Sequence, residues 1–244
     1  MTTAGAHRPL TGRWALVTGA SRGIGAELAR RLVADGARVA LVARGREALA
    51  TLARELGDAA IPVPCDVGDA DAVTRATARV AELAGGSPDI LVNNAGVFAI
   101  APAHETSVDD FRRTLDVNLV APFALARAFL PAMRARRSGH LITVGSIADR
   151  TTFPGNSAYA ASKHGLRALH EVLRAELRGT GVRATLVSPG PVDTELWDPI
   201  DPDNRPGFTP RARMLSAAAV ADAIRWVLLA PADVNVDELR LSSA

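Results

Sequence analysis

From Trp14 to Leu241 the chain switches repeatedly between two hydrophobic patterns. Short apolar runs bounded by glycine, proline or Asx residues read as strands at Trp14–Thr18, Arg38–Ala43, Ile61–Cys65, Asp89–Asn93, Gly139–Val144, Val182–Val187 and Val236–Leu241. Between them lie segments with helical spacing: Ile24–Ala34 (Ile24, Leu28, Leu32, with an Asp35-Gly36 stop), Glu47–Leu56, Ala70–Leu83, Val108–Arg136, Ala158–Arg178 and Ala217–Leu229. Pro122 and Pro131 predict bends in the Val108–Arg136 helix. Strands alternating with helices of this length imply βαβ units, so the expected fold is α/β: a doubly wound parallel sheet of about seven strands with helices on both faces. No repeat, low-complexity tract or linker divides the chain, which predicts a single domain over residues 1–244. The irregular stretch Trp197–Pro210 contains Pro199, Pro202, Pro206, Gly207 and Pro210. It is longer than an ordinary connection, hence a functional lid at about residues 195–212 or a disordered insertion; its start beyond the C-terminal end of a strand favours the lid.

Composition narrows the class. At 244 residues and 48% hydrophobic, the chain can bury a core without disulfide or metal staples. The lone Cys65 excludes an internal disulfide and a Cys-built zinc site, and its apolar strand makes it a packing residue. No apolar run reaches membrane-spanning length and Met1–Trp14 lacks a signal segment, so the expectation is a soluble, cytoplasmic protein with no membrane partner. A net charge of +2, scattered arginines and 4% aromatics give no footprint for nucleic acid. One lysine stands against twenty-seven arginines, and it lies four residues after the only tyrosine: Lys163 and Tyr159. That is helix-neighbour spacing. An ammonium there can stabilise a phenolate, drawing the tyrosine toward acid–base work near neutrality.

Between the first strand and first helix lies Thr18-Gly19-Ala20-Ser21-Arg22-Gly23-Ile24-Gly25. Glycines allow close approach of backbone to a phosphate, and the helix start supplies free N–H groups and a favourable dipole. The second strand ends at Ala43-Arg44, with no Asp or Glu between Arg38 and Arg46. An acid there would take the ribose 2′-hydroxyl of NAD(H), whereas Arg44, helped by Arg22, suits the 2′-phosphate of NADP(H).

These motifs, with Asp66-Val67, Asn93-Asn94-Ala95-Gly96, Asn118, Ser146 and Pro189-Gly190 followed by Thr194, resemble in order and spacing the short-chain dehydrogenase/reductase family over nearly the whole chain. The resemblance implies a Rossmann-type fold and an NADP(H)-dependent oxidoreductase acting on a carbonyl or alcohol. It implies that Tyr159 exchanges a proton with the substrate oxygen, Ser146 orients that oxygen, Lys163 lowers the tyrosine pKa and holds the nicotinamide ribose, and Asn118 supports a water leading to solvent. Cofactor contacts carried over in the same way are Gly19, Ser21, Arg22, Gly23, Ile24 and Gly25 in the glycine turn, Arg44 after the second strand, Asp66 and Val67 at the adenine, Asn93, Ala95 and Gly96 beneath the ribose, Tyr159 and Lys163, and Pro189, Val192 and Thr194 at the carboxamide. A homotetramer or homodimer joined through the long helices is implied likewise. The Val234–Leu241 ending lacks a glycine pair and resembles the branch that includes serine-type 3-hydroxy acid dehydrogenases and aldehyde reductases.

Candidate substrate walls are Val97, Phe98, Ala148 to Phe153, Val192, Leu196, Trp197 and Phe208, mostly apolar, with Arg150 as a possible carboxylate ligand. Two other readings compete with the reductase. A non-catalytic NADP(H) sensor has no need of all four catalytic residue types, and a nucleotide-sugar epimerase or dehydratase is usually longer.

Overall fold

The computed structural model describes residues 8–244, so expectations about residues 1–7, the domain start and the absence of a signal segment among them, lie outside the described residues. Seven strands form the main sheet: β1 (Trp14–Thr18), β2 (Arg38–Ala43), β3 (Ala60–Pro64), β4 (Ile90–Asn93), β5 (Gly139–Val144), β6 (Val182–Pro189) and β7 (Glu238–Leu241). All neighbours run parallel, in the order β3-β2-β1-β4-β5-β6-β7. The five inner strands are buried on both faces, which explains their continuous apolar runs, while the edge strands β3 and β7 are partly exposed. On one face α1 (Gly23–Ala34), α2 (Arg46–Leu56) and α7 (Ala217–Leu228) bury Leu28, Leu32, Leu49 and Ile224. On the other, α3 (Ala70–Ala84), α5 (Ala121–Ala135) and α6 (Ser157–Leu177) bury Val80, Phe129, Met133 and Leu177. Each such side chain contributes about 2–3 kcal/mol of transfer free energy. Arg225 fastens α7 to the end of α1 through both oxygens of Asp35, at 2.6 and 2.7 Å.

The Val108–Arg136 helix departs from expectation. It runs as α4 (Val108–Leu115), a five-residue π turn (Asp116–Val120) and α5, so the irregularity precedes Pro122. Pro122 has no N–H to give the carbonyl of Asn118 four residues back, and the widened turn instead sends the Ala121 N–H to Asp116. Pro131 lies within α5 without ending it. The joined stretch Val108–Ala135 is long and apolar enough to cross a membrane, contrary to the sequence reading; Val117, Ala121, Leu125 and Phe129 on it are buried in the protein core. A short parallel pair, Val192–Asp193 with Leu215–Ser216, was also not foreseen and ties the two ends of the 195–212 loop.

His140 on β5 and His170 on α6 are buried and each has one bonded ring nitrogen, His140 Nε2 with Thr185 Oγ1 at 3.0 Å and His170 Nδ1 with Thr143 Oγ1 at 2.9 Å. Burial, aided by neighbouring Arg183 and Arg174 respectively, lowers His140 to about 3 and His170 to about 4. Both folded values lie below the unfolded value near 6.5, so the unfolded chain gains protons first and stability falls as pH drops below about 6.5. Urea unfolding at pH 5 should show each histidine costing about 2 kcal/mol relative to pH 7.5. His140→Gln or His170→Gln should remove its own share of that acid loss; an unchanged pH dependence would contradict the assignment.

Candidate active site

The sheet order reverses between β1 and β4, so the chain leaves their C-terminal ends in opposite directions and opens a crevice. One cavity of about 1370 Å³ occupies it, lined from the segments after β1, β2, β3, β4, β5 and β6. Gly19 adopts φ +67°, and a Cβ on Gly25 would stand 2.3 Å from the Gly19 carbonyl oxygen. Only glycine at both places lets α1 start against the turn. Gly25 is therefore a packing residue beneath the crevice and does not line it, whereas Gly19, Ser21, Arg22, Gly23 and Ile24 do. The first turn of α1 has neither a side-chain cap nor an acidic residue, leaving its N–H groups and positive dipole end for an anion.

Thr18 ties this turn to the opposite wall: its hydroxyl accepts from the amides of Asn94 (2.9 Å) and Ala95 (3.0 Å), while Asn94 Nδ2 donates to the Thr18 carbonyl at 2.8 Å. Asn94, Ala95 and Gly96 line the cavity. Asn93 does not: it is buried in the sheet with Nδ2 toward the Pro122 carbonyl at 3.5 Å. Arg22 and Arg44 also line it, exposed and with no side-chain hydrogen bond or ion pair among the described residues. Val67 and Asp66 face the same space. The Asp66 carboxylate is already engaged by Arg113 (2.7 and 2.8 Å) and by the Gly68 N–H. Burial pushes Asp66 up, but those partners outweigh it and hold it below the usual carboxylate range.

At the other end, Ser146 follows β5, and Tyr159 and Lys163 project from one face of α6 into the cavity. Lys163 is only 4% exposed; Nζ donates to the Val144 carbonyl at 3.0 Å and lies 5.6 Å from the Tyr159 ring centroid. Burial lowers the Lys163 ammonium to about 8, with Asp149 pushing the other way. Burial raises the Tyr159 phenol, and Ser146 as hydrogen-bond partner pulls it back. Asn118 does not reach the cavity. Its side chain joins three segments, accepting from Val97 N (2.9 Å) and donating to Val97 O and Ser162 Oγ (3.0 Å each), and Ser162 donates to the Tyr159 carbonyl at 2.7 Å. Pro122, four residues on, cannot donate to the Asn118 main-chain carbonyl.

Sequence reasoning missed Asp149. Its side chain is wholly buried on the turn after Ser146; Oδ2 accepts from Ser188 Oγ at 2.6 Å and Oδ1 has no hydrogen-bond partner. Only its burial beside two titrating groups marks it, which no local pattern encodes. Arg150, the possible carboxylate ligand, bonds Glu238 and does not line the cavity. Pro189, Val192 and Thr194 do line it, and a Cβ on Gly23 would meet Thr194 Cγ2 at 3.1 Å, so this segment closes against the glycine turn. Beyond it, Arg211 holds the loop through Asp193 (2.7 Å) and Asp198 (2.5 Å).

A doubly wound sheet with a glycine turn at its switch point and a Ser, Tyr and Lys cluster opposite defines a dinucleotide-binding oxidoreductase. The family model for short chain dehydrogenases matches residues 13–205, and the chain belongs to that family. It is 38% identical over 190 residues to rat dehydrogenase/reductase SDR family member 7B, covering 74% of this chain and 58% of that protein, so it spans little more than half of that relative. It also superposes on a metagenomic short-chain oxidoreductase in complex with NADP (35% identity, TM-score 0.82, covering 96% of this chain and 99% of that one). A serine dehydrogenase complexed with NADP+ gives 34% identity and TM-score 0.84, covering 93% of each chain.

The buried ammonium has a measurable cost. Lys163 falls from about 10.5 unfolded to about 8 folded, so the native state is penalised at neutral pH and the penalty fades as pH rises from about 8 to about 10.5. Lys163→Met should raise unfolding stability in urea by roughly 1–3 kcal/mol at pH 7. A destabilised variant would show that the Val144 bond outweighs the burial.

Proposed function

We propose that this oxidoreductase uses NADP(H) to interconvert a carbonyl compound and its alcohol, with Tyr159 as proton donor and acceptor. The observation that carries the reading is the meeting of Ser146, Tyr159 and buried Lys163 in one cavity with an uncapped helix start and two unpaired arginines. The glycine turn suits a pyrophosphate, and Arg44 with Arg22 suits a 2′-phosphate; the NADP complexes of the two similar structures support the same choice. The nicotinamide, when bound, supplies or takes the hydride. The chain's own part is to fix the substrate oxygen between the Ser146 hydroxyl and the Tyr159 phenol, to hold the phenolic proton at neutral pH by burial, and to keep a cation at Lys163 beside the phenolate that forms. The carbonyl of Asn118 would hold the water that returns a proton. The 195–212 loop would act as the substrate lid of a single domain. Exposed Val120, Phe123 and Val172 on the long helices support a homotetramer or homodimer, and buried, free Cys65 is in keeping with a reducing cytoplasm.

Tyr159→Phe should lower kcat by roughly 10²–10⁴-fold while the Kd for NADPH, read by its fluorescence, changes little. Lys163→Arg should behave similarly, because a planar guanidinium cannot replace a compact ammonium in that space; undiminished turnover in either would refute the mechanism. For the cofactor, Arg44→Asp should weaken NADPH by at least about tenfold and leave NADH nearly unchanged, since it removes a charge-assisted partner of the 2′-phosphate and adds repulsion. Equal losses for both would refute 2′-phosphate recognition.

A further inference from the structure

The substrate end of the cavity is walled by a continuous aromatic series. Phe98, from the loop after β4, meets the Tyr159 ring edge to face at a centroid distance of 4.7 Å and Trp197 at 5.1 Å, and Trp197 meets Phe208 at 6.2 Å. Ile147 and Phe153, both substantially exposed, complete the apolar lining. Cationic side chains behave differently at the two ends. Among the described residues, the arginines lining the cavity are Arg22, Arg44 and Arg113, which stand at the glycine turn, at the end of β2 and on Asp66. Lys163 is bonded to the Val144 carbonyl. Arg150, on the turn after Ser146, is drawn away to Glu238 and lies 3.5 Å from Asp149; Arg211 is held by Asp193 and Asp198; Arg205 sits on the Phe208 ring at 5.2 Å and does not line the cavity.

We propose that the substrate is a neutral aryl carbonyl compound whose ring packs against Phe98 and Trp197, and that carboxylated substrates are excluded. A carboxylate brought to this end would lose its hydration with no guanidinium among the described residues lining it to replace that hydration, which costs far more than the apolar contacts return. An aryl ring gains edge-to-face contacts that a saturated ring of equal size does not. The inference rests on the reductase reading above. The reaction is a two-electron reduction: the C=O π bond breaks, carbon gains a hydride from the reduced nicotinamide, oxygen gains the Tyr159 proton, and Tyr159 recovers a proton from solvent. It also separates this chain from the serine dehydrogenase it resembles in fold, whose named substrate is an amino acid.

The test compares acetophenone, cyclohexyl methyl ketone and phenylglyoxylate as substrates with NADPH. Saturation-transfer NMR of acetophenone and of phenylglyoxylate, each with NADP+, where no turnover occurs, provides a binding readout. Acetophenone should exceed the cyclohexyl ketone in kcat/KM by roughly three- to tenfold, exceed phenylglyoxylate by at least about a hundredfold, and alone show transfer to its ring protons. Trp197→Leu should erase the aryl preference mainly through KM, and Trp197→Phe should retain most of it. Equal or better use of phenylglyoxylate, or an aryl preference that survives Trp197→Leu, would overturn the proposal. If none of the three ketones is reduced, the reductase reading fails; a ring-proton signal from acetophenone alone would then still uphold aryl recognition, and its absence would overturn that as well.

Discussion

The Thr18 hydroxyl accepts two amide protons from Asn94 and Ala95 and donates to the Val92 carbonyl at 3.1 Å, at the level where the chain leaves β1 and β4 in opposite directions. A doubly wound sheet must part there, because its crossovers run outward on either side of that seam. Parting exposes the ends of two parallel strands, whose amides would otherwise lack partners. One hydroxyl satisfies them, and the Asn94 side chain returns a bond to the Thr18 carbonyl. The glycine turn is thereby held against the Asn94 to Gly96 wall, and α1 can begin directly on it because Gly25 carries no side chain. The uncapped helix start, the open crevice and the spacing between its two ends all follow from this fastening.

A second constraint is electrostatic. Lys163 is buried with a carbonyl, not a carboxylate, as its direct partner, so its charge is stabilised weakly and sits near the edge of its titration. Asp149 acts from the neighbouring turn and raises both Lys163 and Tyr159. Burial and this carboxylate together hold the Tyr159 proton, and the carboxylate opposes the burial that lowers Lys163, the combination that the proposed carbonyl reduction would consume. Ser188 holds one oxygen of that carboxylate, and the other has no hydrogen bond and lies 3.5 Å from the Arg150 guanidinium, so its field is only partly quenched. A bonded ion pair at Lys163 would be more stable and less useful, since it would fix the ammonium away from the phenol.

Much of this was legible in the chain because its signals are local. Seven strands announce themselves as apolar runs, helices by their spacing, and the glycine turn by its place between the first strand and helix. Tyr159 and Lys163 stood out because the chain has one of each. What escaped depends on contacts distant in sequence. The widened turn at Asp116–Val120 precedes Pro122, whose missing N–H acts on the carbonyl four residues back, so the proline marked the region and not the place. Asn93 and Gly25 belong to motifs whose neighbours face the crevice, yet one side chain turns into the sheet and the other position is needed for its emptiness. Thr18, Ser188 and Asp149 are ordinary residues for a strand end or a turn; only the meeting of β1 with β4, or of β6 with the turn after β5, gives them work.

The arginine excess then acquires a meaning that counting could not give it. With so many guanidinium groups, location matters less than which of them remain unpaired. Arg31, Arg150, Arg211 and Arg225 are matched with Asp222, Glu238, Asp193 and Asp35, and serve to hold helices and loops together. Around the crevice, among the described residues, Arg22 and Arg44 stay without such partners at one end, while near the loop Arg211 is neutralised by Asp193 and Asp198 and Arg205 lies on the Phe208 ring outside the lining. A cavity with unmatched positive charge at one end and an aromatic wall at the other is polarised for two different guests. On the proposed reading the anionic one would enter where the helix dipole adds to the arginines, and the neutral one would lie over Tyr159, where low polarity would make the phenol, the serine hydroxyl and the buried ammonium count for more than they do in water.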